Sequence, residues 1–409
     1  MSAIDTAPLE PLPLPEPPQR KLAPREWVRE NLFAGVFNTA LTILFGLLLA
    51  WAVYRLGRFV LVDARWEVVQ RNITNLLVFR YPRDEHWRLW GALFILGGGF
   101  GLAAGVGSRG ASAGEPRGIA LRRAGPLLVL VAVLLAFAGS VTATLLVAGV
   151  AALAFVARLA GRRLDLRTVW AIAIGLGSLF AAYLLVAHFG GVGWSRWGGF
   201  QLTIFLAVGG IVLSFPIGVL LALGRRSRLP AVRWVCIAYI ELIRGVPLIT
   251  ILFMGAFMLG FFLPQGVGTP SPVTRALVAV TIFTSAYVAE IVRGGLQSVP
   301  RGQIEAAQAL GLSTIKTTRL IVLPQALRAV IPALVGQFIS LYKDTSLVFI
   351  IGLTELLAIA ELITKQPDFL AQGLLVETLL FAAFVYWAGS YWMSRESQRL
   401  ERRLGVGER

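Results

Sequence analysis

The chain has 409 residues, of which 56% are hydrophobic and only 15% charged, and its formal net charge is +16. Soluble domains carry about 25% charged residues, so this composition excludes an ordinary soluble protein and indicates one that lies in a lipid bilayer. The arginines fall mainly between apolar runs, as the positive-inside rule requires, so the positive charge does not indicate a nucleic-acid partner. One cysteine cannot form an intrachain disulfide and two histidines cannot build a metal site by themselves, so we expect no metal.

The N-terminal tail is rich in proline and contains no apolar run. We expect residues 1–32 to form a disordered tail in the cytoplasm, without a cleavable signal peptide.

Apolar runs then follow along the whole chain, each close to the 20 residues that a helix needs to cross the hydrocarbon core. The runs are 33–54, 89–106, 127–156, 169–187, 200–223, 245–263, 276–292, 330–351 and 378–393. The run 127–156 is long for one span and has arginines on both sides, which favours a tight helical hairpin turning near residues 139–142, although a single helix stays open. The sequence therefore predicts an all-α polytopic membrane protein with about ten transmembrane helices.

The distribution of charge between the runs predicts the orientation and the domains. Basic loops in the second half fall on one side with the C-terminal arginines, so we expect both termini in the cytoplasm. The segment 57–88, assigned outside, holds six arginines and opposes this assignment, although four acidic residues offset part of that charge. We divide the chain into a membrane extension of about five helices at 33–196, a five-helix core at 197–397 and a basic tail at 398–409.

A polar segment between two later runs has the pattern of two short helices joined by a glycine. Residues 305–310 are good helix formers, Gly311 suits the left-handed conformation that ends a helix, and Ser313 can cap the next one. The small side chains of Ala306 and Ala307 would let another protein approach closely, although an ordinary solvated loop fits the same pattern.

The same segment resembles the EAA loop of ABC importer permeases. In that loop a glutamate and two alanines precede a glycine and then isoleucine-x-leucine-proline. The matching residues are Glu305, Ala306, Ala307, Gly311, Ile321, Leu323 and Pro324. Pro324 is also expected to break the second helix or to open the next span. In the family this loop forms the coupling helix that docks into a cleft of the ATP-hydrolysing subunit, so the resemblance implies that role for residues 300–326.

Further motifs between residues 197 and 397 resemble permeases of polar amino-acid importers. They are Trp197-Gly-Gly-Phe-Gln-Leu-Thr203, Ile243-Arg-Gly-Val-Pro-Leu248, Ser285-Ala-Tyr-Val-Ala-Glu-Ile-Val-Arg-Gly-Gly-Leu-Gln297, Val299-Pro-Arg-Gly-Gln303 and Lys343-Asp-Thr-Ser-Leu347. The extension, with Asn31-Leu-Phe and Arg80-Tyr-Pro-Arg, is similar to the larger permease of general L-amino-acid importers. The resemblance implies a type I ABC transporter transmembrane domain that translocates polar or broad-range L-amino acids.

Two Glu-x-x-Arg-Gly units place opposite charges on one helix face: Glu241 with Arg244, and Glu290 with Arg293. An unpaired charge near hydrocarbon is costly, so we expect each glutamate to pair with its arginine or to face a wet cavity. An ion pair that fixes helix packing and a contact with a zwitterionic substrate both fit this pattern.

A polar group inside the next-to-last long span is a second candidate for the translocation path. It consists of Lys343, Asp344, Thr345 and Ser346. A polar amino acid needs hydrogen-bond partners along its path, which these side chains could supply. They could equally bond to neighbouring helices, and both interpretations stay open.

The sequence contains no Gly-x-x-x-x-Gly-Lys-Ser/Thr phosphate-binding motif and no recognisable catalytic constellation. We therefore predict a transport permease that is not an enzyme and binds no cofactor, with ATP used by a partner subunit. The alternative is a secondary transporter driven by an ion gradient.

The resemblance implies an assembly in the bacterial cytoplasmic membrane. The expected partners are an ABC ATPase subunit, a second related permease in a heterodimer rather than a homodimer, an extracytoplasmic amino-acid-binding protein, and the lipid bilayer.

Overall fold

The computed structural model describes residues 23–107, 129–188, 190–193, 196–264, 268 and 270–405. Within these residues the regular secondary structure is helical, apart from one isolated bridge between Gly199 and Glu355, which confirms the all-α fold. Seven helices in this part of the chain are long and apolar enough to cross a membrane. An eighth span results if the bent pair Pro230–Arg244 and Leu248–Phe262 counts as one.

This count is lower than the ten spans predicted, for two reasons. The run 127–156 does break inside the predicted turn, at Gly139 and Ser140, into α6 (Val129–Ala138) and α7 (Val141–Arg163). However, the described part of α6 is too short to cross a bilayer. The last helix, α17 (Leu375–Leu404), is long, but even its N-terminal part is not apolar enough to be counted, since Glu377 and several aromatic and small polar residues interrupt it.

The chain divides into two compact units, residues 1–64 and 65–409. In the first, α1 (Pro24–Leu32) is followed by the long apolar helix α2 (Val36–Arg58), which has no buried residue. Residues 24–32 were predicted to be disordered, but Pro24 and Glu26 in the first turn favour a helix there. The rest of that predicted tail, residues 1–22, lies outside the described residues.

The second unit begins with a segment that the sequence placed in a loop. It contains two short helices, α3 (Glu67–Arg71) and α4 (Ile73–Val78). We call residues 65–79 the strap, because they lie across helices from the far end of the chain. Val68, Val69, Ile73 and Leu76 are buried there in one apolar cluster with residues of α16 (Leu356–Leu362) and α17.

Three helices of the predicted extension pack closely together: α5 (His86–Gly107), α7 and α8 (Thr168–Ala187). The Gly-rich sequence of α5, to which no motif could be assigned, allows this contact. A Cβ atom at Gly101 would lie 2.3 Å from the carbonyl oxygen of Ala154 on α7. Small residues let helices approach to backbone contact, which is how helices associate in lipid.

The remaining helices form the core around α12 (Pro272–Ser298), the most deeply buried of the candidate spans. It packs against α9 (Gly199–Arg225) and α15 (Leu323–Asp344), and α15 packs against α17. The chain bends by 106° between α10 (Pro230–Arg244) and the segment that begins with α11 (Leu248–Phe253), and Pro247 lies at this bend.

The core has an outer end and an inner end. Helices α9 and α17 begin at the outer end, where α15 also ends. Helices α9 and α12 end at the inner end. The charge distribution of the sequence predicts that the inner end faces the cytoplasm. The strap belongs to the outer end, so the second compact unit runs across the domain boundary that was predicted near Trp197.

Candidate functional site

The segment 300–326 at the inner end is a helical turn of the kind expected from its sequence. Helix α13 spans Arg301–Ala309. Gly311 terminates it two residues later, because its φ of +76° lies in the left-handed region. The Gly311 N–H donates to the Gln308 carbonyl at 2.9 Å, and the Leu312 N–H donates to the Ala307 carbonyl at 3.1 Å. This pair of bonds is a Schellman motif, which confirms the predicted role of the glycine in the turn.

The second helix of this segment is continuous with a span. Ser313 caps α14 (Thr314–Thr317), since its Oγ accepts a hydrogen bond from the Lys316 N–H at 3.4 Å. A π-helical turn, Thr318–Val322, joins α14 to α15, so that residues 314–351 run as one 38-residue helical element. Pro324 lies in the first turn of α15, directly after the π-helical turn, so it opens the following span as one of the two outcomes expected for it.

The side chains of this loop differ from the prediction in one respect. Ala307 is 2% exposed and faces the interior of the loop, so it does not form an outward surface with Ala306. The outward surface has two large apolar side chains instead, Leu310 at 82% and Ile315 at 79% exposure. Exposed apolar side chains that flank a rigid turn are typical of a protein-binding surface, and we call these two residues the knob.

The four charged residues predicted to pair within helices form a network across helices. Glu290 and Arg293 pair in a bidentate contact of 2.6 and 2.9 Å, as their spacing predicts. Arg244, however, lies 3.8 Å from Glu290 and not beside Glu241. Glu241 pairs at 2.9 Å with Arg225 at the end of α9. The expected pair of Glu241 with Arg244 is therefore wrong, because helix packing brings a closer partner to each.

Arg225 was missed by sequence reasoning, although its place in a basic run after a span was the available signal. It lies 2.9 Å from Glu241 and 3.6 Å from Glu290, so it joins the two glutamates. Arg244 also lies over the ring of Tyr287, 5.7 Å from its centroid. The five charged residues thus join the inner ends of α9, α10 and α12 in a half-buried network.

The other predicted polar group lies at the outer end of α15. Helix α15 ends at Asp344, and Thr345 begins a 3₁₀ turn, Thr345–Ile351. Lys343 is exposed and Ser346 is half-buried, whereas Thr345 is fully buried and donates from Oγ1 to the Tyr342 carbonyl at 2.7 Å. Thr345 therefore bonds within its own turn, and a role for these residues in the translocation path stays a prediction.

A buried carboxylate near this turn was not found from the sequence. Glu355 is 0% exposed and caps α16: Oε2 accepts from the Leu357 N–H at 2.7 Å, and Oε1 accepts from the Ala358 N–H at 2.8 Å. The hydroxyl of Tyr386 on α17 donates to Oε2 at 2.8 Å. Burial raises the pKa of Glu355 and the three hydrogen bonds lower it in part, with a net rise to about 7. An acidic residue directly before a short apolar helix was the signal that could have indicated this cap.

Known proteins similar to this chain decide its family. Residues 214–406 match the family described as the binding-protein-dependent transport system inner membrane component. A glutamate/glutamine/aspartate/asparagine transport system permease protein, BztC of Rhodobacter capsulatus, is 35% identical over 98% of this chain and 98% of its own length. The chain belongs to the family of amino-acid ABC transporter permease subunits.

Two further relatives each match about half of this permease. The inner membrane amino-acid ABC transporter permease protein YhdY of Escherichia coli is 51% identical over 52% of this chain and 57% of its own length. The probable glutamine ABC transporter permease protein GlnP of Bacillus subtilis is 41% identical over 50% of this chain and 91% of its own length. About half of this chain therefore covers nearly the whole length of GlnP.

Proposed function

We propose that this chain is the larger of two permease subunits in an importer of polar L-amino acids, coupled to a separate ATPase subunit through residues 300–326. The observation that carries the proposal is the knob. Leu310 and Ile315 are both more than three-quarters exposed, and they flank a turn that Gly311 fixes in one conformation. Such a surface is costly in water and suits a groove on a partner.

The helices behind the knob can carry its displacement into the membrane. On one side α14, the π-helical turn and α15 form a single element that reaches the outer end of the core. On the other side only Val299 and Pro300 separate α13 from α12. The two arms are joined by a hydrogen bond of 2.6 Å between the side chains of Gln303 and Gln325. A push on the knob would therefore move α12 and α15 together, as a rigid body.

The charged network at the inner end gives this motion a second attachment. Glu290 on α12 contacts arginines from three helices, so α9 and α10 would follow α12 when it moves. We propose that the network fixes helix packing rather than binding substrate, because the carboxylate oxygens of Glu290 are already engaged by Arg225, Arg244 and Arg293. In an importer, ATP binding and hydrolysis in the partner ATPase would switch the core between inward-facing and outward-facing states.

The names of the relatives support the proposed substrate class. BztC is named for glutamate, glutamine, aspartate and asparagine, and GlnP for glutamine, which supports polar L-amino acids as substrates here. We propose a heterodimer with a related permease, an extracytoplasmic binding protein that delivers the substrate, and both termini in the cytoplasm. ATP would be bound by the ATPase subunit and not by this chain. Transport driven by an ion gradient is not favoured, because YhdY and GlnP are named as ABC transporter permease proteins.

Purification of the tagged chain from bacterial membranes tests the assembly. We expect an ATPase subunit and a second permease to be recovered with it in fixed proportion. Proteoliposomes with this complex and its binding protein should take up labelled L-glutamine or L-glutamate only when ATP is supplied on the ATPase side. Recovery of the chain without any nucleotide-hydrolysing subunit, or uptake that does not depend on ATP, would contradict the proposal.

A further inference from the structure

An open cavity of about 180 Å³, which is not enclosed by the protein, lies at the outer end of the core, between the 3₁₀ turn Thr345–Ile351 and α16. Its wall includes Gly352 and Thr354 in the connection, Phe349 from the turn, and Glu361 and Lys365 beyond. The volume corresponds to about six water molecules. It therefore has room for the α-amino and α-carboxylate groups of one amino acid.

The two charged residues of this wall have opposite signs and are free to bind a ligand. Glu361 belongs to α16 and Lys365 to the short 3₁₀ helix that follows it, four residues further on. Four helical residues span about 6 Å along the axis. No ion pair or hydrogen bond engages the carboxylate of Glu361 or the ammonium of Lys365 in the part of the chain that the structure describes. Two opposite charges that share one cavity without pairing are complementary to a zwitterion.

The helix that carries Glu361 is anchored from its buried side. Glu355 caps α16 and accepts a hydrogen bond from Tyr386 on α17. The Leu356 N–H donates to the Thr203 hydroxyl of α9 at 3.3 Å. These contacts fix the orientation of α16, so the part of the cavity wall that carries Glu361 is held by rigid elements of the core.

We propose that this cavity is an outer binding site for zwitterionic amino acids, in which Glu361 faces the substrate ammonium and Lys365 faces its carboxylate. The proposal rests on the function proposed above and adds the place where the permease first receives its substrate. A site that recognises only the backbone charges accepts many side chains, which fits a permease whose binding protein supplies most of the selectivity. Glu355 acts here as a positioning residue, since it holds α16 and does not reach the cavity wall as defined above.

Direct binding to the purified permease–ATPase complex, without the binding protein, tests the site. The probe is tritiated L-glutamine, titrated to millimolar concentration. We expect Glu361→Gln and Lys365→Gln each to weaken binding about tenfold or more, since each removes one of two charge contacts. The matched control is Asp368→Asn, an exposed carboxylate near the same end that is not part of the cavity wall. Binding to both variants within twofold of the unchanged complex, or no binding to the unchanged complex, would overturn the proposal.

A second measurement uses the unchanged complex and does not depend on how the variants fold. An amine-reactive reagent that cannot cross membranes should label Lys365 from the outer side, and L-glutamine should slow that labelling. The free amines of the added compounds also consume the reagent, so rates are compared at equal concentrations of unreacted reagent. Its analogue 4-aminobutanamide, which lacks the α-carboxylate, should not. Equal labelling rates with and without L-glutamine would overturn the site.

The two proposals can fail separately. If the reconstituted complex shows no ATP-dependent uptake, the proposed function fails. If it transports normally while Lys365→Gln binds L-glutamine unchanged, only the outer site fails.

Discussion

Gln366 donates a hydrogen bond from Nε2 to Oδ1 of Asn72 at 2.9 Å, and the two residues are 294 positions apart in the sequence. Asn72 is buried in the strap, and its amide nitrogen donates to the Val68 carbonyl at 3.1 Å. Arg65 makes a second contact between the strap and the core: its backbone N–H donates a hydrogen bond to a carboxylate oxygen of Glu377 at 3.2 Å. Part of the extension is therefore built into the outer end of the transport core.

The first prediction concerns this attachment. Asn72→Leu removes a buried amide and leaves the half-buried amide of Gln366 without its partner, so we expect the free energy of unfolding of the complex to fall by about 1–3 kcal/mol. Asn31→Leu is the matched control, because Asn31 makes the same bond to the carbonyl four residues before it but is exposed. The control should change stability by less than about 0.5 kcal/mol. Thermal unfolding in detergent checks both, and equal stability of the two variants would show that the strap is not fastened through Asn72.

A second prediction separates the two glutamates of the inner network. Glu290 contacts three arginines and is about three-quarters buried, whereas Glu241 contacts Arg225 and is 55% exposed. We expect Glu290→Gln to destabilise the complex by about 1.5–3 kcal/mol, since it leaves charged partners without their anion. Glu241→Gln should cost no more than about 1 kcal/mol, as solvent screens an exposed pair. If the two variants unfold at the same denaturant concentration, Glu290 is not the centre of the network.

A third prediction follows from the buried carboxylate of Glu355. Burial raises its pKa from an ordinary value of 4.5 to about 7. Between these two values the folded protein binds more protons than the unfolded chain, so the free energy of unfolding should fall as the pH rises. The change from Glu355 is on the order of 3 kcal/mol across this window. Glu355→Gln should flatten the profile, whereas Asp368→Asn should leave it unchanged. A slope that survives in Glu355→Gln would assign the effect to another group.

The fourth prediction addresses the knob. Leu310→Asp places a charge on the surface proposed to enter a groove of the ATPase, so we expect a roughly tenfold or greater loss of affinity for that subunit. Leu229→Asp is the matched control, because Leu229 is also an exposed leucine at the inner end but lies outside the coupling loop. Copurification and titration with the isolated ATPase measure the difference. Normal binding by Leu310→Asp would show that the knob is not the contact.

Features that depend on neighbours in the sequence could be predicted from it. The turn at Gly311 and the cap at Ser313 follow from local backbone preferences, and the structure has both. The pair of Glu290 with Arg293 lies within one helix turn and was likewise predictable. The matching residues of the coupling loop could be recognised for the same reason, since they form one continuous segment.

Features that depend on distant packing could not be predicted in this way. Glu241 pairs with Arg225 because α9 and α10 pack together. Residue spacing within one helix gives no information on such a contact between helices. The strap looked like a charged loop, and its four buried apolar side chains find their partners about 290 residues later. Gly199 shows the same limit: a Cβ atom there would lie 2.5 Å from the Leu76 carbonyl oxygen, a contact that only the assembled fold reveals.

The fifth prediction tests the central claim, that residues 300–326 couple transport to a separate ATPase. The measurement is the number of L-glutamine molecules taken up per ATP hydrolysed in proteoliposomes containing the complex and its binding protein. Gly311→Val forces a β-branched residue into the left-handed region at a cost of about 1–2 kcal/mol or more, although open space surrounds the position. Such a cost shifts the equilibrium between the native loop conformation and its alternatives about 5- to 30-fold.

The matched control is Gly405→Val, another left-handed glycine in open space at a helix end, outside the loop. The account predicts that Gly311→Val lowers uptake per ATP at least about fivefold while Gly405→Val leaves the ratio unchanged. An undiminished ratio in Gly311→Val, or uptake sustained by an ion gradient in vesicles without the ATPase, would contradict it.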